Sequence, residues 1–102
     1  MPYIPQQDRN HLDPKIKELA QAVSDRVKAN GGDYEGILNY TMTKLLLFII
    51  PEHRYKHIAR ITGVLENVKQ EFYRRLAAPY EDAQIKKNKD VYPGHKRHIK
   101  TN

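Results

Sequence analysis

Cysteine is absent from this 102-residue chain. Neither a disulfide framework nor a thiolate metal site is therefore available. Serine occurs once, as Ser24, inside a helical pattern and with no histidine close in sequence. That leaves no activated nucleophile. Long apolar runs are missing too. The longest, Leu45 to Ile50, falls far short of a bilayer span. The opening MPYIPQQDRN has no apolar core of a secretory signal. These absences argue for a non-enzymatic protein with no cofactor, no metal and no membrane partner, located in the cytoplasm.

The net charge of +6 is uneven. From residue 86 to the end, six Lys and Arg stand against Asp90, a net of +5, which leaves +1 for residues 1–85. A basic tail attracts polyanions without reading their sequence. It also reads simply as a solvated tail, so the charge alone does not assign a function.

Apolar spacing predicts an all-α fold, a three-helix bundle or helical hairpin. Residues 1–12, with Pro2 and Pro5, read as an extended N-terminal arm in which Tyr3 is a potential anchor. Asp13-Pro14 reads as the N-cap and first position of a helix over 14–29. Ile16, Leu19, Ala20, Val23 and Val27 form its stripe, and Asn30-Gly31-Gly32 its stop. A second helix covers 34–50, after Asp33 as N-cap and before Pro51. Ile37, Leu38, Met42, Leu45, Leu46, Phe48 and Ile49 make it apolar on most sides. Such a helix must be covered on most sides. Part of it is therefore expected to form a homo-oligomer interface or the wall of an apolar pocket. A third helix covers 54–77, with Ile58, Ile61, Leu65, Val68, Phe72 and Leu76 as its stripe. Gly63 inside it suggests a close helix crossing. Pro79 predicts a turn near Ala77 to Tyr80, followed by a short helix. The single helical domain is expected over 13–92, with a disordered basic tail at 93–102.

The candidate site is an anion-binding cluster of Lys69, Tyr73, Arg74, Arg75 and Tyr80, with Tyr3 reaching in from the arm. Arginine presents a rigid fork of donors to phosphate, and tyrosine a face on which a base stacks. Glu71 with Arg75, and Glu66 with Lys69, are spaced as ordinary surface ion pairs, which is the plainer reading of the same charges. His53 and His57 are four apart, but no third ligand is fixed by spacing, so no metal site is expected.

Several blocks taken together resemble a family of short uncharacterised bacterial and phage proteins. They are MPYIPQQDR with Leu12-Asp13-Pro14, Leu38-Asn39-Tyr40, GVLENVKQEFYRR at 63–75, APYED at 78–82, and the KNKDVY ending at Tyr92. The resemblance covers roughly residues 1–92 and implies a domain end near Tyr92. The family has no assigned activity, so the resemblance implies no site residue. It carries glycine where Lys89 stands here.

Two functions fit these observations. One is an oligomeric helical protein that holds an anionic ligand, a nucleotide or nucleic acid, by sequestration. The other is a protein–protein module, such as a phage inhibitor of a host defence factor.

Overall fold

A computed structural model describes residues 2–93. The tail at 94–102, including most of the segment expected to be disordered, lies outside the described residues. The described residues form an all-α fold, as the spacing predicts: α1 (Gln6–Ala29), α2 (Glu35–Ile49), α3 (Tyr55–Phe72), a π-turn (Tyr73–Ala77) and α4 (Ala78–Asn88). The chain divides into two units, Met1–Leu65 and Glu66–Asn102.

In the first unit, α1 and α2 form a helical hairpin. Val23 and Val27 of α1, and Ile37 and Thr41 of α2, are the partly covered side chains of that contact. The link between the helices behaves as its glycines require. Gly31 and Gly32 adopt φ +70° and +91°, angles that a Cβ disfavours. The Gly32 amide donates back to the Val27 carbonyl at 2.9 Å, closing the last turn. Pro51 ends α2 by holding Ile50 extended at φ −59°, ψ 125°.

Two proline readings need correction. The extended arm is short, because α1 starts at Gln6 and runs through Pro14. Asp13 is therefore an interior residue, not an N-cap. Arg9 Nε donates to the Ile4 carbonyl at 2.8 Å, and Gln6 Nε2 to Asn10 Oδ1 at 2.8 Å. These two bonds brace the turns ahead of Pro14. Asp33 is also displaced as a cap, since Tyr34 occupies the N-cap position and makes no side-chain capping bond.

Pro79 likewise does not break the chain direction. Phe72, Ala77 and Ala78 all keep right-handed helical angles. A proline ring in a regular helix collides with the carbonyl four residues back, here Arg75. The π-turn removes that collision by widening one turn, and the Ala78 amide donates to Tyr73, five residues back. The predicted turn at Ala77 to Tyr80 is thus a local widening of a continuing helix.

α4 stops at Lys89, which takes φ 72°, ψ 148°. This region is close to glycine-only. The Asp90 carboxylate then accepts from the Tyr92 amide at 2.9 Å and fixes the following turn.

Among the described residues, the expected close crossing at Gly63 has no counterpart, because a Cβ built there meets nothing within 4 Å. More generally, no described side chain is buried. Leu38, Leu45, Ile49, Ile58, Val68 and Phe72 are all exposed.

Two stability outcomes follow. Pro14→Ala raises helix stability by about 3 kcal/mol, the interior cost of proline, measured by thermal or urea melting. A change near zero would instead place Pro14 in the first turn. Lys89→Gly stabilises by about 1 kcal/mol or more by relieving the positive φ. Loss of stability in that variant would rule out the glycine-like conformation.

Candidate functional site

Five of the six predicted site residues fall together in the second unit. Lys69 is in the last turn of α3, Tyr73, Arg74 and Arg75 are in the π-turn, and Tyr80 is in the first turn of α4. Tyr3 lies in the first unit, in the short segment ahead of α1, and is half exposed.

The charges of this segment are mutually satisfied. Arg74 Nη2 donates to both oxygens of Glu71, at 2.9 and 2.8 Å. Arg75 Nε donates to Glu71 Oε2 at 3.3 Å. The Glu71 side chain is only 29% exposed, against 64% and 61% for the two arginines. One carboxylate therefore sits beneath two guanidinium groups that are themselves mostly exposed. Lys69 Nζ approaches Glu66 Oε2 at 3.4 Å. The three bases and the carboxylates Glu66, Glu71 and Glu81 balance, so this stretch carries no net charge to draw in an anion. The spacing of Glu66 with Lys69 and of Glu71 with Arg75 foretold two of these contacts. Arg74 with Glu71 is a third, equally legible at three residues.

The remaining contact was hidden. Tyr73 Oη donates to Glu81 Oε1 at 2.9 Å across eight residues. In a regular helix, residues eight apart differ by about 80° around the axis. The widened turn absorbs one residue, so these two are spaced as if seven apart, about 20° from alignment. Tyr80 gains no such tether and keeps its ring 65% exposed.

Glu66 titrates below the ordinary glutamate range. The largest cause is the hydrogen bond from Gln70 Nε2, at 2.9 Å, followed by the hydrogen bond and charge of Lys69. A depressed carboxyl favours the folded state fully above its unfolded pKa. That contribution disappears as pH falls through the lowered folded value.

Elsewhere, a groove of about 540 Å³ lies between α1 and α2. It is lined by Leu19, Val23, Arg26, Ile37, Tyr40 and Thr41, among others. The expectation that α2 walls an apolar pocket pointed here, although the contributions of Arg26 and Tyr40 were not read from the sequence. His53 precedes α3 while His57 lies on it, so the two do not share a helix face. Among the described residues there is no group of three or more His, Asp or Glu placed to hold a metal ion. Among the same residues, no helix is long and apolar enough to cross a membrane.

The chain belongs to the DUF6899 family, a domain of unknown function whose model matches residues 1–91. No curated protein and no solved structure matches the chain.

Replacing Gln70 with Ala returns the Glu66 titration toward the ordinary glutamate range, read by NMR of the side-chain carboxyl. Replacing Lys69 as well completes the return. An unchanged midpoint in the double variant would remove both contacts as the cause.

Proposed function

We propose that this DUF6899 protein is a non-enzymatic helical interaction module that works by burying its helix faces against another protein chain. One observation carries the reading: the described residues include no buried side chain, while large apolar side chains are exposed along every long helix. A polypeptide offsets its lost conformational entropy mainly by burying apolar surface. This chain has no disulfide to substitute for a core. Its missing burial is therefore supplied from outside. The resemblance to short bacterial and phage proteins supports action in the host cytoplasm, and a host defence factor is one partner of the right kind.

A second reading is favoured by the exposure of the Arg74 and Arg75 side chains, 64% and 61%. A nucleotide or a nucleic-acid phosphate would compete with Glu71 for those guanidiniums, while Tyr80 offers a stacking face. Glu71→Gln distinguishes the two readings. It tightens phosphate binding several-fold if the arginines form an anion site, and leaves binding of a protein partner unchanged.

The main test compares amide hydrogen exchange in dilute solution with that at high protein concentration or in complex. The isolated dilute chain is expected to show weak protection throughout α2 and α3. Protection typical of a stable globular core at high dilution would overturn the module reading. Capture of a partner that survives high salt and nuclease treatment supports a protein over a nucleic acid. Removing residues 93–102 separates tail-driven polyanion attraction, which it abolishes, from site-directed binding, which it leaves intact.

A further inference from the structure

We propose that the groove between α1 and α2 binds a small carboxylate with an apolar body. Arg26 holds the charged end, and Leu19, Val23, Ile37 and the Tyr40 ring hold the body. The site requires only the α1–α2 hairpin, so it does not depend on the interaction-module reading.

The groove lies wholly within the first unit. Val23 and Ile37, which line it, are also partly covered side chains of the hairpin contact. Leu19 precedes Val23 by four residues and continues the same face of α1. The walls therefore belong to two helices and their contact, not to a loop. The volume of about 540 Å³ falls inside the range of roughly 300–1,000 Å³ that small-molecule sites occupy, and such sites combine apolar walls with a few polar groups.

The polar groups select the charge of the ligand. Arg26 is the one charged residue of the lining, which contains no Asp or Glu. Among the described residues its side chain makes no ion pair and no hydrogen bond. The acids near it in sequence are placed elsewhere. Asp25 accepts from Gln21 Nε2 at 2.9 Å, and Glu35 borders a separate hollow with Asn39 and Thr43. Arg26 thus differs from Arg74 and Arg75, which both donate to Glu71. Two other polar groups of the lining are engaged within the hairpin. Thr41 Oγ1 donates to the Ile37 carbonyl at 2.8 Å, and Asn30 Nδ2 to the Asp33 carbonyl at 3.2 Å. What remains for a ligand is the guanidinium fork of Arg26 and the ring of Tyr40, which is 65% exposed.

A guanidinium matches the two oxygens of a carboxylate with parallel hydrogen bonds. An aromatic ring adds a flat apolar face for the rest of the ligand. A single base suits a single negative charge. A nucleotide would bring further charges against apolar walls with no second cation to meet them. A neutral apolar molecule would leave the fork unused.

The experiment titrates the full chain with cinnamate and with its neutral amide, cinnamide, followed residue by residue through amide NMR shifts. Saturable shifts are expected around the lining, between residues 19 and 41, with cinnamate bound about 10-fold or more tighter than cinnamide. Arg26→Gln removes that preference and leaves cinnamide binding unchanged. Gly36→Leu weakens both ligands about 10-fold or more by placing a side chain in the groove. Gly36 lines the groove at a helical position without positive φ, and a Cβ there meets nothing within 4 Å. Leucine also favours a helix over glycine, so lost binding in that variant is not lost folding. Equal affinity for the two ligands, or a preference that survives Arg26→Gln, would overturn the carboxylate assignment. Shifts centred on residues 69–81 would move the anion site to the charged segment and overturn the groove. Absence of saturable shifts with either ligand would overturn the site, as would a chain in which no Overhauser contacts join α1 to α2.

Discussion

Unmet apolar area governs this protein more than any specific contact does. Helix formation satisfies the backbone, yet it cannot by itself stabilise a chain of this length, because most helical stability in proteins comes from packing an amphipathic face. Here the faces are written clearly and the packing is sparse. α1 and α2 share a hairpin contact through Val23, Val27, Ile37 and Thr41. The remaining stripes have the composition of a core and the exposure of a surface.

The charged segment at 66–81 has to be judged against that background. Its residue types suit phosphate recognition, and two arginines beside a tyrosine invite that reading. The geometry gives each base a carboxylate first. Glu71 holds both guanidiniums, Glu66 holds Lys69, and Glu81 takes the Tyr73 hydroxyl. Exposed pairs of this kind contribute little to stability. Their effect is on orientation, as they order a segment of helix that contains a proline.

Much of the fold was legible because punctuation and periodicity agreed. Gly31-Gly32 and Pro51 bound α2 from both sides, and the apolar spacing between them needed no tertiary information. Pro14 and Pro79 were misread for a common reason. A proline costs one hydrogen bond and a steric clash, and a helix absorbs that when neighbouring turns are secured or one turn can widen. Neither relief is visible in residue order alone. Lys89 is a different case. The turn there takes a positive φ with a side chain that suits it poorly, and periodicity gives no sign of it. At the site, the ion pairs followed from spacings of three and four. The Tyr73–Glu81 bond did not, because it depends on a phase shift that only the backbone reveals.

That phase shift separates two helical segments that differ in rotation. A single residue gained at Tyr73–Ala77 turns every side chain of α4 by about 100° relative to the adjoining turns at 66–72. Natural variation can exploit such a joint cheaply. Loss of one residue from the π-turn would present a different face of α4 without altering a single amino acid in it. Descendants of one ancestral helix can thereby acquire different partners through length change alone, with the α3 stripe left untouched.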